Sequence, residues 1–461
     1  MAEPYRFHPS ILREYDIRGI VGETLGADDA RALGRAYGTM LRRGKGRRVC
    51  VGRDGRLSSP ALADALAAGL AETGCEVLAI GLGPTPMLYF AVHHLDADGG
   101  VQVTGSHNPP DHNGFKMMLG KGSLYGRAVQ ELGKIAAAGD LERGTGRVEQ
   151  VAVFDAYIDR LARDFGGTRP VDAVWDAGNG AAGPAMVALS GRLPGRHACL
   201  FADVDGRFPN HHPDPTVAAN LVDLIAAVRS GGYEVGIGFD GDGDRIGVVD
   251  GRGRIVWGDQ ILQILAAEVL ARHPGATIIA DVKASQTFFD EIARLGGRPL
   301  MWKTGHSLIK AKMAEIGSPL SGEMSGHIFY KDRFYGHDDA LYVAVRLLSI
   351  LASDRRTLAE LHDAMPAVFN TPEIRFACPD ERKFGAIEAV KRHLESDGVT
   401  FDAIDGVRVS EPDGWWLLRA SNTQAVIVAR AEASSAAGLE RLKGRLRDTL
   451  HAVGVAAPGE L

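Results

Sequence analysis

Apolar positions along this chain come in short runs, each closed by a polar loop and followed by a helix-length segment. RVCVG at 48–52 leads through the loop GRDGRLSSP into ALADALAAGLAETG, where Ser59 and Pro60 suit an N-cap and a first helical position and Gly74 suits the stop. CEVLAIG and GGVQVTG supply further strands with the helix-like PMLYFAVHHL between them, so residues up to 150 read as a βαβα unit on a mainly parallel sheet. The logic repeats. VDAVWD leads into the loop AGNGAAG and a helix from Pro184, and VAANLVDLIAAVRSGG leads into the strand EVGIGF, which ends at Asp240. A third pass runs GATIIADV, KASQ, a helix through FFDEIARLGG, PLMW, KTGHS, the helix LIKAKMAEI and GEMSGHIFY. In open parallel sheets ligands lie beyond the carboxyl ends of the strands, so three such loops are expected to face one cleft.

The tail differs. TPEIRFAC, the charged helix EAVKRHL, VRVSE, WWLLRAS, AVIVARAEA and GLERLKGRLRDTL read as an α+β unit, with a polar loop at Arg419-Ala420-Ser421-Asn422-Thr423 between two strands. The expected class is α/β, with three repeated mixed α/β domains at 1–150, 151–252 and 253–368 and a C-terminal α+β domain at 369–461. Composition agrees: 461 residues, 45% hydrophobic and 24% charged, are ordinary globular material. At a net charge of −6 the Lys and Arg residues are scattered, which argues against a nucleic-acid partner. Cys50, Cys75, Cys199 and Cys378 are far apart and form no C-x-x-C pair, which disfavours a disulfide framework or a zinc site and suits a reducing compartment. The N-terminal stretch has no apolar h-region, and the most apolar helices are broken by Gln263, Glu268 or Arg346, so neither export nor a membrane span is expected. The expected location is the cytoplasm.

GIGFDGDGDRIGVVD sets Asp240, Asp242 and Asp244 two residues apart. Carboxylates so close repel one another unless a cation sits among them, and oxygen-only ligands on a short loop suit a hard ion, Mg²⁺ first. An EF-hand is excluded, because its required Gly and Glu fall at Arg245 and Gly251. Gly236, Gly238 and Gly241 match G-x-G-x-x-G, but an acidic turn and a strand follow in place of a helix N-terminus, so a dinucleotide fingerprint is excluded too.

The strand VQV runs straight into TGSHNPPDHNGFK. Read by itself, Ser106 is a turn residue that caps backbone amides, and Asn113-Gly114 has hairpin-turn chemistry. Thr104 occupies the position two before the serine, so there is no G-x-S-x-G elbow of an acyl-transfer hydrolase. A phosphorylated Ser106 would carry about −1.5 to −2 charges and present an oxygen to the cation held by the aspartates. Lys116 and Arg245 would then compensate the charge.

REYDIRG at 13–19, TGSHNPPDHNGFK at 104–116, DGDGDR at 240–245, WKTGHSLIK at 302–310, GEMSGH at 322–327 and RASNT at 419–423, in this order, resemble the motifs of the α-D-phosphohexomutase superfamily. The resemblance covers essentially the whole chain and is specific to the bacterial phosphomannomutase/phosphoglucomutase group. It implies four domains around a central cleft. It also implies that Ser106 is the phosphoserine and, with Asp240, Asp242 and Asp244, a Mg²⁺ ligand. Glu323 and Ser325, with His327 beside them, match sugar-hydroxyl contacts, and Arg419, Ser421, Asn422 and Thr423 match the loop that grips the substrate phosphate. Tyr15, Arg18, His107, Lys116, Arg245 and Lys283 match further active-site positions, as do Thr304, Gly305 and His306 of the WKTGHSLIK stretch. One departure is Gln424-Ala425, where the family often has Pro shortly after Asn-Thr.

What the resemblance implies chemically is transfer from phospho-Ser106 to the free hydroxyl of a hexose phosphate, reorientation of the hexose 1,6-bisphosphate, and return of the other phosphate. Lys116, His107 and Arg18 are the candidates for proton transfer. Mannose and glucose phosphates are the expected substrates. A phosphoglucosamine mutase is the alternative, disfavoured by Met324 where that group usually has Gln. A non-catalytic or hydrolytic relative would dispense with the serine or the aspartates, and both are present. A monomer is expected.

Overall fold

The computed structural model describes residues 4–422 and 424–461. Its strands fall into four sheets. In the first, Arg48–Arg53 lies between Gly99–Val103 and Glu76–Leu82, parallel to both, and Glu76–Leu82 is followed by parallel Arg147–Gln150. His112–Leu119 returns antiparallel beside Gly99–Val103 and carries Ile17–Ile20 on its far side. In the second, Ala173–Asp176 lies between parallel His197–Leu200 and Val235–Phe239, and Val235–Phe239 returns through antiparallel Ile246–Asp250. In the third, Thr277–Asp281 lies between parallel Arg298–Trp302 and Leu320–Gly322, and Leu320–Gly322 returns through Ile328–Tyr330.

Each unit therefore repeats one device. A parallel strand ends, a polar loop follows, and the chain comes back antiparallel alongside. The strands before the loops are buried throughout, because helices cover both faces of the sheet, and for that reason they read as continuous apolar runs without alternation. The fourth sheet is antiparallel, with Val426–Ala433 paired to Gly414–Ala420, Phe369–Asn370 and Ile374–Ala377, and with helices Asp380–Ser396 and Ala436–Ala452. The expected fold class is the one found. One apolar cluster runs from Cys50 and Leu78 through Trp175 and Phe239 to Ile278 and Leu347, fusing the first three sheets, whereas the fourth has its own core around Trp416 and Leu446.

Three local expectations need correction. Ser58, not Ser59, is the N-cap of helix Ser59–Glu72, because the Ser59 hydroxyl is bound to Asp54 and Asn113. Asn113 and Gly114 form no turn. They lie inside His112–Leu119, whose backbone is paired on both sides, and the Asn113 amide is held by Ser58 and Ser59. Arg419 belongs to the end of strand Gly414–Ala420 and precedes the loop. Among the described residues no helix is long and apolar enough to cross a membrane.

Candidate active site

The loops at 104–111, 240–245 and 323–327, with residues 421–422 and 424–425, converge on one cleft of about 530 Å³. It is lined by Tyr15, Arg18, Ser106, His107, Lys116, Arg245, Lys283, Thr304, Gly305, His306, Glu323, Ser325, His327, Arg419, Ser421 and Asn422. Asp240, Asp242 and Asp244 lie beneath its floor, fully buried. Thr423 lies outside the described residues.

Ser106 sits at the loop tip with φ 49°, a left-handed conformation that a non-glycine residue adopts only when its surroundings impose it. The imposing group is Arg56. Its guanidinium is 1% exposed and donates to the carbonyls of Ser106, Asn108, Pro109 and His112, with the Ser106 bond at 2.8 Å. Thr104 Oγ1 accepts from the Ser106 amide at 2.9 Å, and Asp54 accepts from the Gly105 amide at 3.0 Å. The serine hydroxyl then donates to Asp240 Oδ2 at 2.8 Å and lies 3.2 Å from His107 Nδ1. The two loops meet this closely because position 241 is glycine: a Cβ there would lie 2.3 Å from the Ser106 carbonyl oxygen.

The aspartates are held from several elements. Asp240 Oδ1 accepts from the amides of Asp244 and Arg245 at 3.0 and 3.1 Å. Asp242 Oδ2 accepts from Thr85, from Thr104 at 3.1 Å and from Lys116 at 2.8 Å, and Lys116 also bridges to Asp244. Burial, reinforced by the neighbouring carboxylates, pushes Asp240 and Asp244 above the usual carboxylate range. Burial would also raise Asp242, but the Lys116 ammonium and the Thr85 hydroxyl more than reverse it. Lys116 itself is raised: the two aspartates outweigh the burial that opposes its charge. Asp242 Oδ1 and Asp244 Oδ1 are buried with no hydrogen-bond partner, and oxygens of all three carboxylates lie within 4.8 Å of one another. Orphaned, mutually repelling carboxylate oxygens of this kind fit a hard divalent cation.

Arg245 compensates the aspartates through its charge, which favours ionised Asp240, while its side-chain hydrogen bond goes elsewhere. Its Nε donates to His327 Nε2 at 2.9 Å, which fixes the proton of that ring on Nδ1. His327 Nδ1 lies 2.9 Å from Asp338 Oδ2, out of line for a hydrogen bond, and 3.5 Å from Asp244. Arg18 is paired with Asp16 at 2.8 Å and donates to the Thr104 carbonyl. The His107 ring is pushed well below the ordinary histidine value by burial and then by Arg245, Arg18 and Lys116.

The opposite wall comes from the third and fourth units. Glu323 accepts from the Gly305 amide at 2.5 Å and the Ser325 hydroxyl at 2.9 Å. Gly305, at φ 136°, opens helix His306–Ile316 directly under the Tyr15 ring, where a Cβ would lie 2.5 Å from the nearest ring atom. The Tyr15 hydroxyl donates to the Thr304 carbonyl at 2.8 Å and accepts from Asn422 at 2.6 Å, joining the first, third and fourth units. Arg419 is 5% exposed, and its Nε is bound to Asp405 at 2.9 Å. Lys283 pairs with Glu373 at 2.8 Å. Gln424, at the departure from the family pattern, accepts from Arg375 at 3.0 Å and donates its amide to Ser421 at 3.2 Å, so hydrogen bonds stand where a proline ring would stiffen the loop.

Sequence reasoning passed over Arg56, Thr85, Asp338, Lys310, Glu373, Arg375 and Asp405. For Arg56 a signal existed: GRDGR occupies the end of a parallel strand, the same topological position as the loops that were singled out.

Comparison with known proteins agrees along the full length. The family models described as phosphoglucomutase/phosphomannomutase alpha/beta/alpha domains I, II and III match residues 9–142, 155–253 and 257–369, and the C-terminal domain model matches 373–449. A phosphomannomutase/phosphoglucomutase of Pseudomonas aeruginosa is 46% identical over 450 residues, covering 97% of both chains. A phosphoglucomutase of Neisseria gonorrhoeae is 44% identical over 445 residues, 95% of this chain and 96% of the relative. The crystal structure of a phosphoglucomutase/phosphomannomutase family protein from Burkholderia thailandensis superposes with a TM-score of 0.92 at 46% identity, covering 98% of this chain and 99% of that one. With its four domain types matched in order and relatives this similar along their whole length, the chain belongs to the phosphoglucomutase/phosphomannomutase family.

Proposed function

We propose that the protein is a phosphohexomutase, interconverting hexose 1-phosphates and hexose 6-phosphates of mannose and glucose through a phosphoryl group on Ser106 and a hexose 1,6-bisphosphate. The observation that carries this reading is the Ser106 hydroxyl, set in a strained loop 2.8 Å from Asp240 and beside two carboxylates with orphaned oxygens, at the floor of a polar cleft. Family membership supports it.

In the forward half-reaction the bond from phosphorus to Ser106 Oγ breaks as a bond from phosphorus to the sugar hydroxyl oxygen forms. The sugar hydroxyl gives its proton to a base in the cleft, and the serine oxygen, which departs with the electron pair of the broken bond, takes up a proton and ends as an alcohol. His107, neutral and 3.2 Å from that oxygen, is placed to exchange the proton there. Lys116, pinned between Asp242 and Asp244 as a cation, suits charge neutralisation better than base catalysis. Asp240, Asp242 and Asp244 would hold Mg²⁺, which when bound supplies Lewis-acid neutralisation of charge on the transferring group. Glu323 and Ser325, flanked by His306 and His327, address sugar hydroxyls; Arg419, Ser421, Asn422 and Thr423 hold the phosphate that is not being transferred. When the bisphosphate turns around, its two ends exchange places, and return of the second phosphate to Ser106 leaves an isomer. Every group invoked comes from one chain, so no second copy is required. Met324 meets Arg430 through its sulfur.

Intact-mass measurement is expected to show a fraction of the protein heavier by one phosphate, mapped to Ser106, and Ser106→Ala to lose both that adduct and most turnover. Exhaustive chelation should abolish activity and Mg²⁺ restore it. Full turnover in Ser106→Ala, or after chelation, would sink the mechanism.

A further inference from the structure

Each aspartate of the acidic loop has one oxygen held by fixed donors and one left over. Asp240 Oδ1 is taken by two amides of its own loop, which leaves Oδ2 for Ser106. Asp244 Oδ2 takes the Lys116 ammonium, and its Oδ1 is orphaned. At Asp242 the division is most complete. Its Oδ2 receives the Thr85 hydroxyl, the Thr104 hydroxyl and the Lys116 ammonium, three donors on an oxygen with two lone pairs, while its Oδ1 is buried with no partner. The last torsion of an aspartate is broad and twofold, so an unheld carboxylate can present either oxygen.

Two of the three donors serve elsewhere as well. Lys116 is shared with Asp244, and the Thr104 hydroxyl also accepts from the Ser106 amide. Among the described residues the Thr85 hydroxyl meets Asp242 alone. Thr85 opens helix Thr85–His94 of the first unit, and the N-cap position falls on Pro84, whose side chain can neither donate nor accept. The hydroxyl is therefore not used by its own helix.

Thr85 is 0% exposed, and its amide donates to the Asp242 carbonyl at 2.8 Å, so it holds residue 242 by main chain and side chain together. The neighbours on either side, Pro84 and Pro86, have no N–H to offer, which concentrates the donors of this stretch on Thr85. Gly243, at φ 72°, permits the approach: a Cβ there would lie 2.9 Å from Pro84 Cβ. A residue of the first unit thus fixes a carboxylate of the second, across the boundary between them.

We infer that Thr85 is a positioning residue for the cation site: by tying Asp242 Oδ2 it presents Oδ1 to the divalent ion that the three aspartates would hold. The inference rests on that proposed role of the aspartates. Groups that orient a ligand without touching the metal typically change affinity tenfold to a hundredfold, and Thr85 stands in that relation to Asp242.

Calorimetric titration of the full-length, metal-stripped protein with Mg²⁺ reads this without turnover. Thr85→Val keeps the shape of the side chain and removes the donor, and its Mg²⁺ affinity should fall by roughly tenfold to a hundredfold. Thr85→Ser restores the hydroxyl and should return the affinity to within about threefold of the wild type. Ala91→Gly, farther along the same helix, loosens the helix and leaves the hydroxyl in place, so its affinity should match the wild type. Should the valine variant fail to fold, Thr85→Ala removes the same donor without setting a methyl group against the carboxylate, and it carries the same expectation. An affinity unchanged or tighter in the variant lacking the hydroxyl overturns the inference. So does an equal loss in Ala91→Gly, or a loss that Thr85→Ser does not reverse, since either would make the helix and not the hydroxyl responsible. If the wild type binds no Mg²⁺, the metal role of the aspartates falls and the inference with it; binding by the wild type with no loss in Thr85→Val removes the inference alone and leaves the proposed function standing.

Discussion

At the scale of single residues, the serine loop shows how a reactive group is placed by a side chain remote in sequence. Ser106 cannot hold φ 49° by its own preference, and the four carbonyls that turn inward around Arg56 are satisfied only because a planar, five-donor cation fills the space between them. Lysine has the charge but not the fork. Arg56→Lys should therefore leave buried carbonyls unpaired and destabilise the protein by about 2–4 kcal/mol, read from chemical denaturation. If the fold survives, the reacting oxygen is displaced while the sugar and phosphate grips stay whole. The expected result is a kcat lower by roughly a hundredfold with KM within about threefold, since misplacement acts on the transition state and not on ground-state binding. A KM that rises in step with the loss of kcat would show that Arg56 serves the cleft as a whole and not the serine.

At the scale of elements, the loops that sequence reasoning marked were legible because each interrupts a buried parallel strand with polar residues that a sheet end does not need for turning. TGSH, DGDGD and GEMSGH all stand between a parallel strand and its antiparallel return, and the hydrophobic runs on either side announced the strands. What periodicity could not carry were single charges in ordinary surroundings: Asp338, Lys310 and Asp405 acquire their partners only when distant elements pack. Asn113-Gly114 misled for the converse reason, since turn chemistry in two residues yields to a backbone ladder on both sides. Asp339 is another residue whose meaning is tertiary. It caps helix Ala340–Ser353 by accepting from the Tyr342 amide, and also from the Tyr157 hydroxyl at 2.9 Å, yet burial raises its carboxyl to about 7. A carboxyl whose folded pKa exceeds its unfolded one binds more protons in the native state, so the stability it contributes is present below the unfolded value near 4 and is lost as pH rises through about 7. A rise of this size corresponds to at most about 4 kcal/mol. Asp339→Asn keeps a capping oxygen without the charge, and its melting temperature should fall less than that of the wild type between pH 5 and 8. Parallel pH profiles for the two proteins would show that Asp339 stays ionised.

At the scale of the whole molecule, the distribution of apolar contacts decides what is free to move. One apolar cluster is shared by the first three units, the first having a second cluster of its own, whereas the main cluster of the fourth is separate. Its joint to the third unit is buried and mixed: Val282 packs with Trp415 and Leu417, Arg408 donates to the carbonyls of Val282 and Ala284 with its guanidinium 3.7 Å over Trp415, Arg430 donates to the Lys283 carbonyl, and Glu432 accepts from Ser285, Gln286 and Trp415. Across the cleft mouth the hold is thinner, resting on the Tyr15–Asn422 bond and on a half-exposed pair between Arg13 and Asp380 at 3.5 Å. If the fourth unit moves over the cleft, the joint is expected to act as the hinge and the Tyr15 clasp as the latch. A substrate phosphate gripped by the fourth unit would favour this arrangement, in which the grip residues and the donor serine line one cleft. Tyr15→Phe keeps the ring over Gly305 and removes only the hydroxyl that ties Thr304 to Asn422. One or two hydrogen bonds at roughly 1 kcal/mol each predict a KM raised about fivefold to thirtyfold. The same variant should show a smaller decrease in radius of gyration than the wild type when glucose 6-phosphate is added in a Ser106→Ala background, where no turnover blurs the scattering. Equal compaction in the two proteins, with KM unchanged, would place the latch on Arg13 and Asp380, and Arg13→Ala would then be the variant that fails to close.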